Sequence, residues 1–249
     1  MKSKNCLVLF SGGLDSSTLL AYTINKGYKV TALTFNYEQR HIHELSCAKK
    51  LAKIYNIENH IIQKIDLKKF NQSALTNIDI AVPKGRDINK IDDEIPATYV
   101  PLRNLIFLTY AAAWCEKYFI NDLFIGVNSI DYSNYPDCRS KFVKGFEKVV
   151  NLGSKFSNSL PKLKIHAPLI NLQKFEIINL GNDLGLDFSL TSTCYDPKPN
   201  GKPCCGCDAC LIRENGFTKA GMIDPLLNIK PFLQAHLKAL QAEAQTKVR

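Results

Sequence analysis

The stretch from Leu7 to Leu20, LVLFSGGLDSSTLL, constrains this chain more than any other. Cys6 to Phe10 is an apolar run too short for a free-standing helix, and it reads as a buried parallel strand. Ser11-Gly12-Gly13 then turns the backbone sharply, and a residue without a Cβ lets the main chain approach a ligand closely. From Asp15 onward, Ser16, Ser17 and Thr18 occupy the first turn of a helix, whose free N–H groups and positive dipole end favour an anion. Strand, glycine turn and helix N-terminus together form a phosphate cradle. The plainer alternative is a strand–turn–helix with N-capping serines and no ligand.

The cradle is not of the Walker type, which ends in Gly-Lys-Ser/Thr, and the dinucleotide fingerprint G-x-G-x-x-G is absent. What remains, Ser11-Gly12-Gly13-Leu14-Asp15-Ser16-Ser17, resembles the pyrophosphate loop of the N-type ATP pyrophosphatases, the PP-loop family. The resemblance implies a loop that grips the β- and γ-phosphates of ATP while a substrate oxygen attacks the α-phosphorus and becomes adenylated. It implies a nucleotide site built from Phe10, Ser11, Gly12, Gly13, Leu14, Asp15, Ser16, Ser17, Thr18, Leu19 and Leu20. It also implies that Asp15 helps to hold Mg2+, with Asp15 and Ser16 acting in catalysis.

Beyond the first helix, Tyr28 to Phe35 reads as a second strand, Glu44 to Tyr55 as a helix and Asn59 to Leu67 as a third strand. Arg103 to Phe119 predicts a helix, Asp122 to Val127 a fourth strand, Phe142 to Phe156 a helix and Leu163 to Leu169 a fifth strand. Lys174 to Leu184 reads as a helix stopped by Gly185, and Phe232 to Arg249 has weak helical character. Strands alternating with helices predict an α/β fold: a doubly wound, mainly parallel sheet with ligands at the carboxyl ends of its strands. Asn71 to Ala97 has no clean period and reads as a mobile loop over the site. The expected organisation is an α/β domain over 1–190, with a zinc knuckle and helical segment over 191–249 packed on it.

No apolar run reaches the roughly 20 residues of a membrane span. Met1-Lys2-Ser3-Lys4 leads straight into the first strand, so no membrane association and a cytoplasmic location are expected. The net charge of +9 invites a nucleic-acid partner, but the lysines are spread over most helices, as solvated faces are. Such a field also attracts ATP or another anion, and direct nucleic-acid binding is not expected.

Nine cysteines without an export signal argue against a disulfide scaffold. Cys6, Cys47 and Cys115 sit in apolar patterns as small core residues. Cys194, Cys204, Cys207 and Cys210 instead carry two consecutive C-x2-C steps plus a thiolate from across a proline-bearing loop. That set suits a structural Zn2+, with an iron–sulfur cluster as the competing reading. Cys205 stands beside Cys204 and could exchange with it as a ligand. A second constellation, Gly126 to Arg139, follows a strand end and offers two aspartates, two tyrosines and an arginine. Rings that stack, carboxylates that accept from N–H groups and a guanidinium for an anion suit a flat heterocycle; a polar turn packed by its tyrosines is the alternative.

SGGLDSS, Tyr37 to His41, Tyr99 to Asn104, Asp131 to Arg139, Ile165 to Leu169 and the cysteine knuckle occur in one order over Cys6 to about Gly221. That series resembles the 7-cyano-7-deazaguanine synthases, a PP-loop family of queuosine biosynthesis. The resemblance implies an ATP-dependent ligase acting on 7-carboxy-7-deazaguanine and ammonia through acyl-adenylate and amide intermediates, often as a homodimer. Substrate contacts are expected from Arg103, Asn104, Asp131, Tyr132, Tyr135, Asp137 and Arg139. Asp131 and Asp137 would read the base edge, and Arg139, also catalytic, or Arg103 would lie near the carboxylate. Glu38, Asn134 and Cys205 stand where the family would have glycine, and Ser192 where it is often aromatic. Arg40, His41 and His43 read equally as an exposed turn or as a site element, while Lys174 and Glu176 read as an exposed helix face. A PP-loop tRNA thiolase and a zinc-bearing nucleotide-binding module without turnover are the rival functions.

Overall fold

A computed structural model describes residues 4–70, 72–87, 95–128, 135–158 and 161–226. The candidate residues Asp131, Tyr132 and Asn134 and the stretch Phe232 to Arg249 lie outside these segments.

Five strands form one parallel sheet: β1 (Lys4–Leu9), β2 (Tyr28–Asn36), β3 (Asn59–Lys64), β4 (Asp122–Phe124) and β5 (Lys164–His166), in the order β3-β2-β1-β4-β5. Helices α1 (Leu14–Asn25), α2 (His43–Ile54), α3 (Arg103–Tyr118), α4 (Ser140–Gly153), α5 (Lys174–Asp183) and α6 (Asp208–Lys219) cover its two faces. The alternation along β1 shows why. Leu7 and Leu9 enter a core shared with Leu108, Ala111, Cys115 and Phe146 of α3 and α4. Cys6 and Val8 enter the opposite core with Leu19, Leu51, Ile177 and Phe217 of α1, α2, α5 and α6. A strand buried on both faces has no polar side, hence the unbroken apolar run in the sequence.

The strand order reverses at β1: β2 and β3 lie on one side of it, β4 and β5 on the other. Chains leaving β1 and β4 therefore diverge, and a crevice opens between their carboxyl ends. β4 is shorter than the predicted Asp122–Val127 for this reason. Its ladder with β1 ends at Val8 and Phe124, and Gly126 then packs against the backbone of Ser16, 3.4 Å from where a Cβ would stand. β5 likewise stops at His166, whose carbonyl accepts from the Ile125 amide at 2.9 Å.

Residues 72–87, expected to form a mobile loop over the site, pack instead on the cysteine-bearing segment. Ala74 and Val82 join a small apolar cluster with Cys194, Cys207 and Cys210. Lys84 bridges Cys207, and the Gly85 amide donates to the Gly206 carbonyl at 2.8 Å. α6, which the sequence pattern left unassigned, is tied down by Arg213. Its guanidinium donates to both Asp224 oxygens at 2.7 and 2.9 Å, to Thr191 Oγ1 at 2.8 Å and to the Phe188 carbonyl at 3.1 Å.

Candidate active site

The turn after β1 is shaped by packing. Gly12 has φ +86°, and a Cβ there would stand 2.5 Å from the Ala48 amide nitrogen and 2.6 Å from the Glu44 carbonyl oxygen of α2. Only glycine meets both conditions. Its carbonyl accepts from the Ser192 amide at 3.0 Å, fixing the turn to the segment that leads into the cysteines. Gly13 is the N-cap of α1, and its amide donates to Ser11 Oγ at 3.2 Å. Ser11 and Ser16 hydroxyls lie 3.1 Å apart, so two hydroxyls and the free amides of α1 face the same space.

That space is the mouth of a cavity of about 230 Å3. Phe10, Ser11, Gly13, Leu14, Asp15 and Ser16 line it. Gly12 stands just behind the lip, and Ser17, Thr18, Leu19 and Leu20 are buried in α1 away from the cavity, as packing residues. The opposite wall is aromatic: Phe35 and Phe107 stack with centroids 4.1 Å apart at 4°, and Tyr37 and Tyr135 lie beside them. Arg103 and Asn104, at the start of α3, bring a fixed positive charge and an amide to this wall. Burial pushes the Tyr37 phenol up to about 12, against the opposing pull of Arg103, so it stays protonated.

Asp137 is turned toward α3, not into the cavity. Its Oδ2 accepts from the Asn104 amide at 3.0 Å, an acid satisfying a helix N-terminus, while its buried Oδ1 has no partner. Asn104 in turn reaches the Asp137 carbonyl at 3.2 Å, which fixes the side chain that faces the cavity. Arg139 is exposed at the N-cap of α4, outside the cavity wall, leaving Arg103 as the guanidinium that faces it. Cys138 lines the cavity, but burial and the neighbouring Asp137 push its thiol up to about 12, which keeps it a poor nucleophile.

Lys174 overturns the reading of an exposed face. It is only 5% exposed, and its ammonium bridges both Asp15 oxygens at 2.6 and 2.7 Å. The signal was present: Lys174 heads the stripe Ile177, Ile178 and Gly181 at helical spacing, so the buried face of α5 includes it. Glu176 reaches back to the Gln173 amide at 2.7 Å as part of a capping box. Arg40 donates to the carbonyls of Asn77, Ile78 and Ile80, whereas the buried His41 lines the cavity.

The sulfurs of Cys194, Cys204, Cys207 and Cys210 all lie within 4.8 Å of one another. Zinc–sulfur bonds of about 2.3 Å in a tetrahedron require sulfurs about 3.8 Å apart, so the donor set fits Zn2+. Cys205 is exposed with φ +62° and turns its sulfur toward the Pro203 carbonyl. Thr193 and Tyr195, flanking Cys194, both line the cavity.

Compared with known protein families, the sequence matches the one described as Queuosine biosynthesis protein QueC over residues 5–221. The chain belongs to this family. The 7-cyano-7-deazaguanine synthase of Paramagnetospirillum magneticum is 50% identical over 222 residues, covering 89% of this chain and 97% of that one. The enzyme of the same name from Desulfatibacillum aliphaticivorans is 47% identical over 226 residues, 90% of this chain and 97% of its own. Among solved structures, NMN synthetase from Francisella tularensis aligns with a TM-score of 0.50 at 16% identity, over 100% of this chain and 88% of that one, which speaks to the fold alone. Membership in this family makes the chain an enzyme of queuosine biosynthesis. Among the described residues, no helix is long and apolar enough to cross a membrane.

Proposed function

We infer that this chain is an ATP-dependent ligase, a 7-cyano-7-deazaguanine synthase that converts 7-carboxy-7-deazaguanine and ammonia to the nitrile. One observation carries the reading: in a chain half identical to enzymes of that name, one cavity joins a pyrophosphate cradle to a stacked aromatic wall with an arginine beside it.

A carboxylate is a poor electrophile, and amide dehydration is unfavourable in water, so both oxygens leave only after activation. The substrate carboxylate attacks the α-phosphorus of ATP, and pyrophosphate departs into the cradle of Ser11, Gly13 and Ser16. Backbone amides and hydroxyls aimed at the leaving group stabilise the charge that develops there. Ammonia displaces AMP to give the amide, and a second adenylation on the amide oxygen with loss of AMP gives the nitrile. Arg103 orients the carboxylate, the Phe35–Phe107 pair stacks against the heterocycle, and Asn104 supplies a polar contact. Asp131 remains a candidate for the base edge, and Tyr132 for a substrate contact.

Asp15 keeps lone pairs beyond its contacts with Lys174 and fits Mg2+, which uses one or two carboxylates together with substrate phosphates. When bound, the ion neutralises charge on the departing phosphates. Zn2+ in the four-cysteine cluster has a structural part, since four thiolates leave no open position. Location in the cytoplasm and assembly as a homodimer complete the proposed reading.

The test is incubation with ATP, Mg2+, ammonium and 7-carboxy-7-deazaguanine, followed by chromatography and mass analysis. AMP together with the nitrile is expected. An amide end point reassigns the product, and no AMP from folded, zinc-loaded protein overturns the reading.

A further inference from the structure

Three groups from two successive segments meet on one side of the cavity. His41 is 4% exposed and lines the cavity. Its Nε2 lies 3.2 Å from Glu44 Oε2 and 3.3 Å from the Tyr37 hydroxyl, while its Nδ1 is buried with no partner at all. A carboxylate carries no proton, so the hydrogen between Nε2 and Oε2 sits on the imidazole. Neutral His41 is therefore held in the tautomer whose Nδ1 is an open acceptor. The same Glu44 packs on the PP-loop: its Oε1 stands 3.1 Å from where a Cβ on Gly13 would be. An unsatisfied acceptor buried beside a phosphate cradle costs free energy, and a catalytic use is one reason for a fold to retain it.

We propose that His41 is the catalytic base that accepts the protons nitrogen sheds on its way from ammonia to nitrile, with Glu44 as its positioning residue. The proposal rests on the reaction inferred above. When ammonia attacks the acyl-adenylate, its lone pair forms the C–N bond and the carbonyl π pair moves to oxygen. One N–H proton passes to Nδ1, the carbonyl re-forms, and the C–O bond to AMP breaks with its pair on the phosphate oxygen. After the amide oxygen displaces pyrophosphate from a second ATP, nitrogen loses one proton to leave a neutral imidate. It loses another as the C–O bond breaks and the C≡N bond forms. The imidazolium, steadied each time by Glu44, returns its proton to water between steps. Adenylation itself moves no proton and has no need of His41.

That division supplies the test. Exchange of labelled pyrophosphate into ATP, dependent on 7-carboxy-7-deazaguanine, reads adenylation alone. His41→Gln keeps an N–H for Glu44 but removes the base. It is expected to retain exchange while amide formation, and nitrile formation from supplied amide, fall about 100- to 10,000-fold. Hydroxylamine sheds its proton to water far more readily than ammonia does, so it restores hydroxamate formation in this variant. Glu44→Gln shows the same split and the same hydroxylamine rescue with a smaller loss, and it decides alone should His41→Gln not fold. Equal loss of exchange and product, undiminished product, or no rescue by hydroxylamine overturns the role of His41. Absence of carboxylate-dependent exchange in the unaltered protein overturns the inferred reaction instead.

Discussion

At the scale of single residues, the pair between Lys174 and Asp15 controls the charge at the mouth of the cradle. Asp15 is the only carboxylate of the PP-loop itself, and pyrophosphate would be repelled by it if it stood alone. The buried ammonium of Lys174, on both Asp15 oxygens, offsets that charge. Lys174→Met keeps the length of the stem but removes the ammonium and leaves the Asp15 charge uncompensated. Pyrophosphate exchange should then fall about 100- to 1,000-fold, the scale of one lost electrostatic contribution at a transition state. Exchange at the unaltered rate would sink this role. Stability should fall by less than the roughly 3–5 kcal/mol of a fully buried pair, because the Asp15 side chain is 20% exposed and can rehydrate. Cys205 is the second informative residue. An L-residue at φ +62° carries about 1–2 kcal/mol of strain, and its sulfur lies outside the metal set. Cys205→Gly should therefore raise the midpoint of thermal unfolding and leave bound zinc unchanged, whereas Cys204→Ser should lower both.

At the scale of elements, the cradle depends on how α5 seats against α6. Gly216 of α6 faces α5 so closely that a Cβ would stand 2.5 Å from Lys174 Cγ and 2.9 Å from Ile178 Cδ1. Gly216→Ala should cost about 1–3 kcal/mol as an overpacked contact, and it should also slow pyrophosphate exchange by displacing Lys174. Gly145 of α4, with nothing within 4 Å of its missing Cβ, is the control. There the same change should stabilise by about 0.5–1 kcal/mol with no effect on exchange, through helix propensity alone. The two helices also mark where reading from sequence succeeds and fails. β1, its glycine turn and α1 were legible because period, turn chemistry and helix start are all local signals. α5 was legible as a helix, and its apolar stripe put Lys174 on the buried face, but the partner that receives the ammonium, Asp15, lies 159 residues away and could not be read locally. α6 escaped because its buried positions include Asp208, Arg213 and Gly216, whose partners lie on other segments. The aromatic wall is scattered over Phe35, Phe107 and Tyr135, so only the fold brings it together.

At the scale of the whole molecule, the cysteine cluster and the active cavity share a wall. Cys194 sits between Thr193 and Tyr195, which line the cavity, and two residues from Ser192, whose amide holds the Gly12 carbonyl. On the other side, the buried Arg213–Asp224 pair clamps α6 to Thr191 and Phe188. The segment 188–195 thus runs between the four-cysteine cluster and a salt bridge whose side chains are 3% and 1% exposed. Arg213→Ala leaves Asp224 charged and buried and should cost about 3–5 kcal/mol, measured by denaturant unfolding. Removal of the proposed zinc acts at the opposite end. Once the cation is gone the four sulfurs, all within 4.8 Å of one another, take up protons and lose the bonds that would hold them together, and the knuckle should open. Opening frees Thr193, Tyr195 and the Ser192 amide together, so the cradle and the aromatic wall should lose their shared support. Chelation is therefore expected to lower the thermal midpoint and to abolish pyrophosphate exchange in parallel, with both restored by added Zn2+. A chelated protein that unfolds earlier yet exchanges pyrophosphate at the full rate would show that the PP-loop keeps its shape without the knuckle, and the coupling between the two would be lost.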